Sequence, residues 1–240
     1  MTITATLAIA CALLLLGHYL NGIASAEHSR RVNQLRMLAV QEDLEILRLL
    51  QQHRGLGVQS EPAAVALRSV MAANLTQRLQ QRSAFPDAYS LTESWAALRL
   101  TPEDFDAHSA LIETLIETLE NRASLPNDKI APIAAACREL EDVARLRGLC
   151  VIASNQGGCT PTLHKRLEAL CRRIRSGADT ELNRLVGKLE RGVIHKIQPR
   201  LSPPECFALV TPFIDARLHA IQQCLLHGDT PAQPGLHRLG

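Results

Sequence analysis

Two six-residue stretches carry the residues best suited to chemistry. His53-Arg54-Gly55-Leu56-Gly57-Val58 and Leu146-Arg147-Gly148-Leu149-Cys150-Val151 repeat one local pattern at an offset of 93 residues, from 54 to 147. The positions that share a helical face with Arg54 are Leu47, Leu50 and Val58, and those that share one with Arg147 are Leu140, Val143 and Val151. Each arginine therefore interrupts an apolar stripe. A guanidinium there is costly unless its donors meet acceptors, and it cannot escape by losing its proton. Gly55 and Gly148 each cost about 1 kcal/mol in a helix interior, a cost that is explained if another backbone or a small ligand approaches closely. Two convergent arginines would offer a planar fork to each side of a small anion. The plainer alternative pairs each arginine with a nearby carboxylate such as Glu45, Glu139 or Asp142, or lets it snorkel outward.

Other reactive residues are scattered. His53 adjoins Arg54 and could make anion affinity depend on pH, although neighbouring helix positions face different ways. His108, His164, His195 and His219 form no Ser-His-Asp or Cys-His pattern and read as surface or interface groups. The acidic clusters Glu42, Asp43, Glu45 and Glu139, Glu141, Asp142 read as solvated faces rather than paired catalytic carboxylates. Gly157-Gly158 lacks the lysine of a phosphate loop. The seven cysteines, Cys11, Cys137, Cys150, Cys159, Cys171, Cys206 and Cys224, form no CxxC pair and read as small buried thiols. Cys159-x4-His164 falls short of a zinc set. Neither an enzyme, a metal site nor a cofactor is expected.

The elements that position these groups are helical. Among 240 residues only 3% are aromatic while 46% are hydrophobic, enough for a packed core but without strand-like runs. A net charge of +2 from 26 basic and 24 acidic residues provides no field for nucleic acid. Val32, Leu35, Leu38, Leu44, Leu47 and Leu50 recur at helical spacing and predict one amphipathic helix from Arg30 to about Val58. Ser60-Glu61-Pro62 predicts a second, to Gln81, closed by the loop at Phe85-Pro86-Asp87, with Trp95 in a short helical turn beyond. Thr101-Pro102-Glu103-Asp104 opens a helix to about Asn121 with a Leu111, Leu115, Leu119 stripe. The next runs from Asn127 or Asp128 to Ala153 and breaks at residues 154–158. Thr160-Pro161 starts a helix to Arg175, and another spans Asp179 to His195. Ser202-Pro203-Pro204-Glu205 is a capping box opening the last, to His227, which Pro212 should kink. The expected fold is all-α, an antiparallel bundle of six to seven helices over residues 27–227 with a flexible tail at 228–240.

Residues 1–26 read as an N-terminal transmembrane helix. The run from Ile3 through Leu20 would reach roughly 27 Å, close to a bilayer core. Ala24-Ser25-Ala26 resembles a signal cleavage site, but no Lys or Arg precedes the run, whereas Arg30, Arg31 and Arg36 follow it. This predicts a single-pass anchor with the bulk of the chain on the cytoplasmic side.

The stretches 41–59 (QEDLEILRLLQQHRGLGVQ) and 137–155 (CRELEDVARLRGLCVIASN) resemble the nitrate- and nitrite-sensing domain family, all-helical domains of bacterial chemoreceptors, kinases and antiterminators. The resemblance extends over residues 30–227. It implies that nitrate or nitrite is held between helices by Arg54 and Arg147, with Gly55, Gly148 and His53 beside them. His53 stands where the family often has an acid, and Ile152 where a polar side chain would strengthen the second motif. No kinase, antiterminator, cyclase or methyl-accepting coiled coil is legible after the sensor, so the expected readout is a separate signalling protein, or the anchor acting within a homodimer. The competing expectation is a membrane-side docking scaffold whose arginines form structural ion pairs.

Overall fold

The computed structural model describes residues 2–82, 88–123 and 130–227, and eight α-helices are found among these described residues. They are α1 (Thr2–Leu56), α2 (Pro62–Gln81), α3 (Ala88–Leu98), α4 (Phe105–Ala123), α5 (Ile130–Asn155), α6 (Pro161–Arg175), α7 (Thr180–Leu189) and α8 (Pro203–His227). A π-helical turn, Glu190–Ile194, continues α7. The all-α expectation holds, but with more helices than six or seven. The residues around Trp95 form an 11-residue helix rather than a turn. Trp95 is buried and donates its indole N–H to Thr76 Oγ1 at 2.9 Å, which fixes α3 on α2.

Two compact units divide the chain, Met1–Gln41 and Glu42–Gly240, with the boundary inside α1. The first is a single helix, which has no second layer of its own for a stripe. Leu35 and Leu38 are correspondingly 67% and 60% exposed, against the expectation that they share a buried face with Leu44, Leu47 and Leu50. Among the described residues no helix is long and apolar enough to cross a membrane. The expected transmembrane helix is thus without support here; the side chains of residues 2–15 and 17, on which it rests, lie outside the described ones.

In the second unit α5 is the central element. It packs on α4, α6, α8 and the π turn, and Cys137, Leu140, Val143, Leu146, Cys150 and Val151 are all buried. Its partners run antiparallel to it: Arg138 pairs with Glu120 and Arg145 with Glu113 on α4, while Arg147 meets Thr211 and Ser154 meets Cys206 on α8. Leu111, Leu115 and Leu119 form the buried stripe of α4 as expected.

The helix starts are mostly where the capping residues place them. Thr160 Oγ1 accepts from Leu163 N–H, Asp179 Oδ1 from Leu182 N–H, and Ser202 and Glu205 close a reciprocal capping box. Two differ. Glu61 precedes α2 without a side-chain cap, Pro62 alone setting the start. At α4, Pro102 and Glu103 form a turn, and Asp104 is the cap, its Oδ1 accepting from Ala107 N–H at 2.9 Å. Gly157, at φ 74°, occupies the left-handed region that ends the excursion beyond α5. The expected loop at Phe85-Pro86-Asp87, the start at Asn127 or Asp128 and the tail from Gly228 lie outside the described residues.

Candidate functional site

Arg54 and Arg147 come together in the second unit, both with side chains fully or almost fully buried. Arg54 is committed. Its Nη1 and Nη2 donate to Glu141 Oε1 at 2.6 Å and Oε2 at 3.1 Å, a bidentate pair across α1 and α5. Glu141 is 2% exposed, so the expectation of a solvated acidic face at 139–142 is corrected at this residue. Of the expected partners, Glu45 is engaged with Arg48 and Asp142 with Arg173, while Glu139 is exposed. Asp43 is likewise buried, against Arg82 at 2.5 Å.

Arg147 has no carboxylate within ion-pair distance among the described residues. Its Nη1 donates to Thr211 Oγ1 at 3.0 Å and its Nη2 to the Gln51 carbonyl at 2.7 Å. Burial, followed by the like charge of Arg54, pushes its pKa down to about 9. The Nε of both arginines, and Gln51 Oε1, are buried without a hydrogen-bond partner among the described residues.

The repeat seen in the sequence extends further in space. Arg54 lies over the ring of Phe105 at 4.8 Å and donates to Ser109 Oγ, which itself donates to the Phe105 carbonyl. Arg147 lies over Phe207 at 4.3 Å and donates to Thr211 Oγ1, which donates to the Phe207 carbonyl. Each half thus consists of an arginine, a phenylalanine and a hydroxyl one helical turn after it.

The glycines join the halves. A Cβ on Gly148 would stand 2.4 Å from Phe105 Cε2, and one on Gly55 would stand 2.9 Å from Phe207 Cε2 and 3.1 Å from Arg147 Nε. A close approach was expected at both. What approaches is an aromatic ring, joined at Gly55 by the second arginine. The Phe-x3-Ser/Thr spacing on α4 and α8 was legible in the sequence and is the signal that could have found these residues.

His53 faces away from this centre. It is 1% exposed, its ring meets Trp95 edge-on at 5.0 Å, and its Nδ1 lies 2.9 Å from His108 Nε2. His108 Nδ1 lies 2.7 Å from the Asp104 carbonyl. A carbonyl only accepts, so His108 carries its hydrogen on Nδ1, presents a lone pair at Nε2, and takes the Nδ1 hydrogen of His53. Burial, then the neighbouring His108, pushes His53 down to about 3, and burial also lowers His108. Both are neutral core groups, which corrects the surface or interface expectation for His108, while His53, expected beside the anion, is turned to Trp95 and His108 instead. Cys137, Cys150, Cys171 and Cys206 are buried free thiols, each pushed up by desolvation. Cys159 and His164 do not gather a ligand set together among the described residues.

No family model, curated protein or solved structure matches the chain. Geometry alone therefore bears on the site. Beside the arginine centre lies a cleft of about 650 Å³ with Phe105, Leu149 and Leu170 among its apolar walls and Arg145, Arg166, Arg172 and Arg173 around it. Arg145, which lines the cleft, also reaches Glu141 Oε1 at 3.3 Å, so the cleft and the buried pair share Phe105 and are joined through Arg145.

Proposed function

We propose that this chain is a small-anion sensor of the kind its arginine motifs resemble, taking nitrate or nitrite at Arg147 and held at a membrane by its N-terminal apolar segment. The supporting observation is the unequal neutralisation of the two arginines. Arg54 has a carboxylate on its fork; Arg147, equally buried, has none among the described residues. A buried cation without a counter-charge costs several kcal/mol, and a planar anion removes that cost. Its present acceptors can release it: Thr211 keeps its bond to the Phe207 carbonyl, and the Gln51 carbonyl lies inside α1. Binding then relaxes the repulsion between Arg147 and Arg54 and repacks Phe207 on α8, a change that a separate signalling partner reads.

The test is a thermal-shift titration with nitrate, nitrite, chloride and sulfate, on the natural chain and on Arg147→Met. At a hundredfold excess over Kd, one planar anion should raise Tm by roughly 5–10 °C in the natural chain and by nothing in the variant. Equal response to every salt, or a response that survives Arg147→Met, refutes the sensor. A scaffold is the second reading, favoured by the Arg54–Glu141 pair being complete without any ligand. It predicts no selective anion effect.

A further inference from the structure

Apart from the arginine centre, three metal-ligating side chains converge from two elements. His164 and Glu168 stand one turn apart on α6, and His195 follows the π-helical turn after α7. One ligand atom from each lies within 4.8 Å of the other two. The rings of His164 and His195 are 5.6 Å apart and tilted by 55°.

The hydrogen bonding around His164 indicates what the cluster lacks. Its Nδ1 lies 3.2 Å from the Ile194 carbonyl, which can only accept, so in the tautomer that meets this carbonyl the hydrogen sits on Nδ1. In the neutral ring, Nε2 then presents a lone pair, and it faces Glu168 Oε1 at 3.1 Å. In that tautomer two acceptors face each other, and a metal ion between Nε2 and Oε1 would satisfy both while the ring keeps its hydrogen bond to the carbonyl. A backbone carbonyl holding Nδ1–H is also the usual way a protein orients a metal-binding imidazole and fixes its tautomer. The residue that supplies this carbonyl immediately precedes the third ligand. The π turn closes with His195 N–H donating to the Glu190 carbonyl at 3.0 Å, five residues back. Such turns are uncommon and concentrate at functional sites. Here the turn ends on His195.

We propose that His164, Glu168 and His195 bind one divalent transition-metal ion, Zn²⁺ fitting best, which clips α6 to the chain segment after α7. Two imidazoles and a carboxylate are a recognised three-ligand zinc set that leaves the fourth position to water. Tetrahedral ligands at about 2.0–2.1 Å from zinc lie roughly 3.4 Å from one another. The His164–Glu168 pair is already there. The remaining closure falls to side chains that are half-buried or exposed and free to turn.

Metal-free, reduced full-length chain is titrated with Zn²⁺ by calorimetry, with Mg²⁺ as the hard-cation control, and Co²⁺ is added as a spectroscopic reporter. The same titrations are run on His195→Gln and Glu168→Gln, whose helical circular dichroism must match the natural chain. The expected result is one equivalent of Zn²⁺ and none of Mg²⁺, an affinity at least tenfold weaker in each variant, and a Co²⁺ spectrum without a thiolate charge-transfer band. That spectrum is read on the natural chain and so does not depend on how the variants fold. Absence of Zn²⁺ binding, binding unchanged in either variant, or a thiolate band showing that the cysteines hold the ion would overturn the site.

Discussion

Acid should destabilise this protein well above the pH at which its carboxylates titrate, and the His53–His108 pair sets the amount. His53 titrates near 6.5 when unfolded and is pushed down to about 3 in the fold. Between those values the unfolded chain binds a proton that the folded chain refuses. Stability is therefore intact above the unfolded value and is lost as pH falls below it. For one group with these two values, moving from pH 7 to pH 5 removes about 2 kcal/mol. His108 is lowered too, so its contribution has the same sign. The geometry explains the refusal. A proton on His108 Nε2 would oppose the Nδ1 hydrogen of His53 across 2.9 Å, and a proton on His53 Nε2 would place a charge in a core lined by Trp95. Urea unfolding of the natural chain and of His53→Gln at pH 7, 6 and 5 measures the effect. Glutamine keeps a donor for His108 Nε2 but does not titrate. The natural chain should lose about 2 kcal/mol more than the variant between pH 7 and 5. Equal losses in the two proteins would show that His53 accepts a proton without cost and would refute the neutral-pair assignment.

Two further perturbations address the arginine centre. Glu141→Ala leaves Arg54 buried without its counter-charge and should cost about 3–5 kcal/mol in denaturant unfolding; formate or nitrate should restore part of this by replacing the lost carboxylate, whereas a closed cavity would give no anion-specific recovery. Gly148→Ala drives a methyl group against Phe105 and should cost about 1–3 kcal/mol, with Phe105→Leu relieving much of it in the double variant; additive losses would mean that the contact is not where the strain lies.

How much of this was legible depends on how many faces of a helix are buried. Arg54 and Arg147 stood out because Leu47, Leu50 and Val58 share a helical face with the first, and Leu140, Val143 and Val151 with the second. Glu141 did not, because α5 is buried on more than one face: Cys137 and Ala144, one turn to either side of Glu141, are as buried as Leu140 and Val143. On such a helix a charged residue between two apolar faces has the same local pattern as a solvated one. Asp43 was missed for the same reason. Leu35 and Leu38 fail in the opposite direction, since a periodic stripe says that a face could be buried but not that a partner layer exists to cover it. His53 and His108 are 55 residues apart on different helices, and no local pattern joins them.

The two halves of the centre differ in one respect that bears on function. The arginine, its aromatic platform, its hydroxyl and the glycine that receives the other half's ring are all duplicated, so they explain the packing and nothing else. Counter-charge is not duplicated. Glu141 stands six residues before Arg147 and serves Arg54; the residue six before Arg54 is Arg48, whose own partner is Glu45. Glu141 is hydrogen-bonded to Arg54 and also met by Arg145, and Asp215 and Glu141 act on Arg147 only through space. A purely structural centre would gain from an acid or an apolar residue at one of these positions, since an unneutralised buried charge opposes folding. Keeping it is reasonable if an anion from solution supplies the missing charge, because the stability withheld from the empty state becomes the free energy by which the ligand shifts the conformation.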